Sequence, residues 1–426
     1  MDRRRWLDRA GFVGVSGSIL ATSVVQGLGV LSFRAEVFFV AVVVVLLHAV
    51  LSSLAFTAFI GLSGLLFAAK LLRDRRSPAV ASGGGEVAAI VPVYRDGSAL
   101  QRSVESLLAS TYAELSVHVV CEPDDGPSRR RAEALAEDDR VEVLVNTSQR
   151  GTKAGAVNHA VETTDSEYVA VFDADERVDP RFVGHAVAGL DDHDVVQGRT
   201  VPEPAGVIEE LAYYESVLLS YVARRPLYLV TGFRMASSRA VVMDRAAFER
   251  VGGYDPEMLT EDFEFAYRCY IEHLDVTETL AYPSRIEAAH TLADWWGQRK
   301  RWMTGYTQVV NRLVRDIDPR SYRSVLSVII CAGTVVGSAL TLSVVSKFLV
   351  LLVIGAEAWF LPPVAAVLGV TLGVRLYDRS TCGIRRPTRH WLVVPLLFPL
   401  YGFTTVKAGL EYLLSWDGDW YRVEKS

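Results

Sequence analysis

Lysine is nearly absent from this sequence: there are six in 426 residues, against 38 Arg and 50 Asp plus Glu, and the formal charge is −6. That balance offers no general basic surface, so nucleic acid is not expected as a partner. Cysteine is equally sparse. Cys121, Cys269, Cys331 and Cys382 show no Cys-x-x-Cys spacing, and two lie in or beside apolar segments. They read as free thiols in a reducing compartment, not as a zinc site. His159, His185, His193 and His290 are scattered and form no metal-binding pattern. No Gly-x-Gly-x-x-Gly follows the first strand-like run, which removes a nicotinamide-dependent dehydrogenase. Internal repeats and low-complexity tracts are missing as well.

Apolar residues, by contrast, make up 50% of the chain, with a mean hydropathy of +0.22. They collect at the two ends. Residues 11–33 are uncharged and long enough to span a bilayer. Residues 37–69 are also uncharged and predict one long tilted helix that protrudes from the membrane. Arg3, Arg4, Arg5 and Arg9 flank the first segment, and Lys70, Arg73, Arg75 and Arg76 follow the second. Positive flanks face the cytoplasm, so residues 1–85 are expected to form a helical hairpin in the cell membrane. Arg3-Arg4-Arg5-Trp6-Leu7 also has the look of a twin-arginine export signal, but a second long apolar segment follows instead of a small-residue cleavage site. A C-terminal membrane region over 319–426 is expected to hold two or three helices, at 325–346, 348–374 and 391–414. Pro362-Pro363 is expected to kink or split the second of these. The basic loop Arg375–His390 would again be cytoplasmic.

Between the ends, residues 86–318 have the texture of a soluble α/β domain, entered through the linker Ser82-Gly83-Gly84-Gly85. Strands are expected at Val87–Val93, Val117–Cys121, Val141–Val145 and Tyr168–Phe172, and helices at 97–110, 127–137 and 154–163. The alternation predicts a Rossmann-like parallel sheet covered on both faces. Ligands on such sheets bind beyond the C-terminal strand ends, and each polar cluster of the domain follows such a run.

Three clusters carry chemistry. Asp173-Ala174-Asp175 ends the fourth strand, and two carboxylates two residues apart on an extended segment point the same way. They can hold a divalent cation together with substrate phosphates; the competing reading is a solvated acidic turn. Thr260-Glu261-Asp262 opens a helix through Phe263–His273, with Thr260 as a candidate N-cap; acidic residues at a helix start are also ordinary. In Gln298-Arg299-Lys300-Arg301-Trp302, Gln298 and Arg301 share a helix face, and Trp and Arg could equally anchor an interfacial helix.

Taken together, in this order between membrane segments, these clusters resemble the core of membrane-bound family 2 glycosyltransferases, the group that contains the cellulose, hyaluronan, chitin and poly-N-acetylglucosamine synthases. The resemblance covers residues 86–310. It implies a GT-A type cytoplasmic domain inserted between N- and C-terminal transmembrane helices. It implies an inverting, metal-dependent transfer of a sugar from a nucleotide-diphosphate sugar to a growing β-linked polysaccharide or a glycolipid acceptor, with membrane lipids as surroundings and an export path formed by the helices if the enzyme is processive. Mg2+ or Mn2+ would be held by Asp175 and Asp173, and Asp262 would be the base. Pro92 and Tyr94, in Val91-Pro92-Val93-Tyr94-Arg95-Asp96, resemble the family's opening motif, although Arg95 and Asp96 stand where it has Asn and Glu. Glu122 and Asp124 are both candidates for the acidic contact to the nucleotide base. Lys153 and Arg301 would meet the diphosphate, as would Asp173 through the metal. Thr231, Gly232, Glu261, Gln298 and Trp302 would form the acceptor side, with the Trp face against the sugar. Two other readings stand beside this one: a non-processive polyprenyl-phosphate or glycolipid transferase, and a non-catalytic membrane scaffold or transport component. The C-terminal stretch Trp416–Val423 has the look of a tail found in some relatives.

Overall fold

A computed structural model describes Arg4 and residues 6–18, 36–76, 78–353 and 355–415. Most of the expected first span (residues 19–33) and the tail Trp416–Val423 lie outside the described residues. Residues 6–18 form α1, and α2 (Glu36–Asp74) is one continuous helix. The central domain then runs β1 (Val87–Val93), α3 (Gly97–Leu108), β2 (Leu115–Cys121), α4 (Gly126–Leu135), β3 (Val141–Val145), α5 (Lys153–Thr163) and β4 (Tyr168–Val171). It continues with α6 (Phe182–Leu190), β5 (Val195–Gln197), β6 (Thr200–Pro202), α7 (Val207–Glu215), a π-helical segment (Ser216–Val222) and α8 (Arg224–Thr231). After these come β7 (Val241–Asp244), α9 (Arg245–Val251), α10 (Glu261–Ile271), β8 (Val276–Glu278), β9 (Ser284–Ile286) and α11 (Leu292–Arg315). The chain returns to apolar helices with α12 (Tyr322–Val353), α13 (Glu357–Cys382), a 3-10 segment (Arg389–Leu396) and α14 (Leu397–Leu414).

The expected α/β domain between apolar helices is present. Seven strands pair in the order β3-β2-β1-β4-β7-β5-β8, and β6 pairs with β9 in a small second sheet. The expectation of a parallel sheet holds for β3, β2, β1 and β4, whereas β7 runs antiparallel to both β4 and β5. A parallel neighbour needs a crossover back to the starting edge. The chain instead passes through β5, β6, α7 and α8, and enters β7 from the opposite edge. Six of the seven residues of β1 are buried, as a strand covered on both faces requires. Pro92 is tolerated there for a local reason. Ile90 accepts a hydrogen bond from Phe172 N, so Pro92, two residues on, faces the same neighbour beyond the point where β4 ends.

Among the described residues, four helical segments are long and apolar enough to cross a membrane: Leu47–Asp74, Tyr322–Val345, Ala358–Cys382 and Arg389–Leu414. Two expectations are corrected. The break between the first two C-terminal spans falls at Gly355 (φ 74°), not at Lys347, because a lone lysine is compatible with a helix and a left-handed glycine ends one. Pro362 and Pro363 lie inside α13 without splitting it. Proline at 363 cannot donate to the carbonyl of Trp359, and the hydroxyl of Ser53 on α2 donates to it instead, at 2.5 Å.

Buried ion pairs fasten the helices to the domain. The Arg199 guanidinium grips Asp378 of α13 with two bonds of 2.7 and 2.6 Å, and Tyr213 donates to the same carboxylate at 2.6 Å. Glu215, at the end of α7, accepts from Trp295 Nε1 (2.6 Å) and Arg299 Nε (2.8 Å) of α11, and from the hydroxyl of Tyr401 on α14 at 2.5 Å.

Candidate active site

The C-terminal ends of β1 to β4 open on one edge, and the antiparallel β7 brings the loop before it, Ala236–Arg239, to the same edge. At the β1 end, the Tyr94 hydroxyl donates to Asp124 at 3.2 Å, and the Arg95 amide donates to Asp125, with Arg95 in a left-handed conformation (φ 53°). These bonds hold the first two loops together. The two acidic candidates differ in what they touch. Glu122 is buried and accepts from Asn146 Nδ2 (2.7 Å) and Gly151 N (3.0 Å), so its oxygens brace the loop that leads into α5. Asp124 is exposed at the rim.

Lys153 opens α5, whose N-cap Thr152 accepts from Gly155 N at 3.0 Å. Its ammonium donates to the Asp173 carboxylate and, at 2.6 Å, to the carbonyl of Ser238. Arg239 approaches the other oxygen of Asp173 at 3.7 Å. The Glu176 amide donates to the Asp173 carbonyl (3.0 Å) and the Asp173 amide donates back to the Glu176 carboxylate (3.1 Å), closing a turn within which Asp175 is buried. Burial, then the charge of Asp173, raises the Glu176 carboxyl to about 7.

The base candidate arrives from the other side. Asn158 of α5 exchanges two hydrogen bonds with the backbone of Tyr254, at 2.7 and 3.0 Å, and so fixes the turn before α10. Gly253 (φ 71°) must be glycine here, since a Cβ would lie 2.7 Å from Asn158 Oδ1. Thr260 stands at the N-cap position of α10 but makes no capping bond with its side chain; it packs against Gly305 of α11 instead. Gln308 of α11 accepts from Leu259 N (3.0 Å) and donates to the Glu257 carbonyl (2.8 Å), clamping the same loop. Glu261 is buried and accepts from the Ser238 hydroxyl at 3.0 Å. Its carboxyl is raised by burial and by Asp262, against the pull of Lys153 and Arg301. Burial lowers the Arg301 guanidinium, opposed by Glu261 and Asp262. Asp262 is half-buried and accepts from Phe263 N at 2.8 Å.

The structure thus gathers Lys153, Asp173, Glu261, Asp262 and Arg301 into one electrostatic cluster and adds two groups that no motif announced, Arg239 and Ser238. Arg239 is raised despite its burial, by Asp173 and then Asp262 and Glu176. Elsewhere the placement is different. Thr231 ends α8, where its hydroxyl donates to Leu227 O at 2.8 Å, and Gly232 is the left-handed cap of that helix (φ 74°). Gln298 accepts from Arg299, whose guanidinium also lies 4.5 Å from the centre of the Trp302 ring.

Residues 168–377, from β4 into α13, match the family model described as Glycosyl transferase family group 2. The chain carries a family 2 glycosyltransferase domain. Among curated relatives, it is similar to a beta-monoglucosyldiacylglycerol synthase of Trichormus variabilis, 28% identical over 41% of this chain and 38% of the relative. It is also similar to a poly-beta-1,6-N-acetyl-D-glucosamine synthase of Staphylococcus epidermidis, 22% identical over 63% of this chain and 65% of the relative. In both cases the match spans less than two thirds of the relative's length. Among solved structures, a mannosyltransferase of Pyrobaculum calidifontis, in complex with GDP-Man and Mn2+, aligns at 18% identity with a TM-score of 0.49, over 86% of this chain and 99% of that one.

Proposed function

We propose that the protein transfers a sugar from a nucleotide-diphosphate donor to a hydroxyl acceptor at the membrane, with inversion at the anomeric carbon. The observation that carries this reading is the convergence of cations and carboxylates at the open edge of the sheet: Lys153 and Arg239 on Asp173, beside Glu261, Asp262 and Arg301. Cations there suit a diphosphate, and an accessible carboxylate suits proton removal from an attacking hydroxyl.

Asp124 at the exposed rim, next to Tyr94, is the better placed of the two acidic groups to meet the nucleotide, since Glu122 is engaged inside. Lys153, Arg239 and Arg301 orient and neutralise the diphosphate. Asp262 takes the proton of the acceptor hydroxyl as that oxygen attacks the sugar, and the nucleoside diphosphate departs. Ser238 and Lys153 keep the neighbouring Glu261 in place. Among the described residues no group of three or more His, Cys, Asp or Glu side chains is arranged to hold a metal ion by itself. The donor set of Asp173 and Asp175 therefore fits Mg2+ or Mn2+ only as a site completed by substrate phosphates. Bound there, the cation would supply positive charge to the leaving diphosphate.

Arg73 at the end of α2, Arg75 and Arg76 just after it, and Arg385 and Arg386 between α13 and the 3-10 segment support a cytoplasmic position for the domain; Arg375, expected in a basic loop, is instead buried within α13. The two curated relatives are named for a glycolipid and a polysaccharide product, and both kinds of acceptor fit a site beside the bilayer.

The test uses the full chain in lipid nanodiscs, a panel of nucleotide sugars, and Mg2+ or Mn2+, with nucleotide release as readout. Asp262→Asn is expected to lower transfer by about 10²- to 10⁴-fold while donor affinity is kept. Turnover retained in that variant removes Asp262 as the base. Release from no donor removes the transferase reading.

A further inference from the structure

A cavity of about 870 Å3 lies between the α/β domain and the apolar helices. Its walls come from α2, α8, α11, α12 and α14, and three of these belong to the segments able to cross a membrane. Phe56 and Phe59 of α2, Ile329 of α12 and Phe398 of α14 give it an apolar lining. One wall is unusual. Gly333, Thr334, Gly337, Ser338 and Thr341 of α12 face the cavity at helical spacing. A Cβ added at Gly333 or Gly337 would meet nothing within 4 Å. In a membrane, a stripe of small residues ordinarily receives another helix packed close; among the described residues none fills this room.

The chemistry of that wall selects what can enter. Thr334, Ser338 and Thr341 spend their hydroxyls on carbonyls of their own helix, at 2.9, 2.7 and 2.6 Å. What remains toward the cavity offers a hydrated glycan few hydrogen bonds to replace those it would lose to water. A hydrocarbon chain loses none. The end nearest the domain is polar, with Trp302, Tyr306, Thr231 and Arg224 in the lining. Tyr306 stacks on Phe263 at 3.9 Å between ring centres, so the cavity reaches the residue next to Asp262. Arg224 has no hydrogen-bond or ion-pair partner among the described residues, and its charge acts on Tyr267 and Tyr306.

We infer that this cavity holds the hydrocarbon of the acceptor: the substrate is a membrane lipid whose headgroup carries a hydroxyl, glycosylated at the polar end beside Trp302. The inference rests on the transferase reading and names its acceptor. Arg224 binds headgroup oxygens, which a phosphate or an ester carbonyl can supply.

The experiment gives the wild-type chain its active donor in phosphatidylcholine nanodiscs doped with either phosphatidylglycerol or diacylglycerol, and weighs the extracted lipids. A doped lipid heavier by one sugar is the expected result. Gly333→Leu and Gly337→Leu, which fill the open wall, are expected to cut lipid glycosylation by about 10-fold or more while donor hydrolysis stays within about 2-fold. Arg224→Ala should weaken use of phosphatidylglycerol alone if phosphate is the group held, or of both lipids if esters are. A water-soluble polymer with no lipid mass change overturns the inference, as does undiminished lipid glycosylation in both leucine variants. Should those variants fail to fold, the wild-type product, lipid or polymer, still decides. Absence of donor hydrolysis in the wild type with every nucleotide sugar sinks the transferase reading itself, a separate outcome.

Discussion

Single side chains in this site act in sets of opposite charge; a titrating carboxyl lies outside it, at the far end of β7. Asp244, the last residue of β7, is raised to about 6 by burial and by its neighbours Asp194 and Glu167. The folded chain therefore holds a proton there that the unfolded chain releases nearer pH 4. Its stabilising effect is complete below the unfolded value and is lost as pH rises through about 6. Thermal unfolding followed across that window is expected to show a declining midpoint, and Asp244→Asn, which stays neutral, is expected to flatten the decline. Asp173 was legible in the sequence because a charged residue directly after an apolar run is conspicuous, whereas Lys153 and Asp262 stood out through the family resemblance of their segments. Arg239 and Ser238 were not, since they enter from an antiparallel strand that alternation alone does not announce. The choice between Glu122 and Asp124 needed their partners, and only the fold supplies those.

At the scale of elements, α11 is the part on which the site depends most. Its inner face carries Trp295 and Arg299 against Glu215, Gly305 against Thr260, and Gln308 on the loop before α10. A methyl group at position 305 would lie 2.6 Å from both Oγ1 and Cγ2 of Thr260. Gly305→Ala is therefore expected to cost about 1–3 kcal/mol and to reduce transfer. Thr260→Ala in the same chain makes room and is expected to recover most of the loss; a double-mutant cycle of unfolding free energies checks this, and additive losses would refute it. The spacing of Gln298 and Arg301 marked this helix from the sequence. The burial of Arg299 between them did not show, because its partner Glu215 is distant in the chain. In the same way α13 hid its continuity: two prolines read as a break until a hydroxyl from α2 is found at the freed carbonyl.

For the whole molecule, domain and membrane helices are coupled through a shared hydrophobic cluster and, inside it, through buried ion pairs. Arg199 and Asp378 are both almost fully buried, and they pair across that boundary. Asp378→Ala leaves the guanidinium buried without its anion and is expected to destabilise the folded protein by about 3–5 kcal/mol. Unfolding of the purified variant in detergent measures the loss, and a change below about 1 kcal/mol would show that solvent reaches the pair. The division into apolar ends and an α/β middle was plain from composition. The mixed sheet and the position of the last turns were not, because both depend on pairings between distant segments.

The bond between Ser53 and the Trp359 carbonyl also has a consequence for biosynthesis. The helix that supplies the hydroxyl leaves the ribosome early, and the carbonyl follows 306 residues after Ser53, about 15–60 seconds at ordinary rates of synthesis. Through that interval α2 sits in the bilayer without its neighbour while the catalytic domain folds beside it. A chain released before α13 would lack the seal that joins α2 to it.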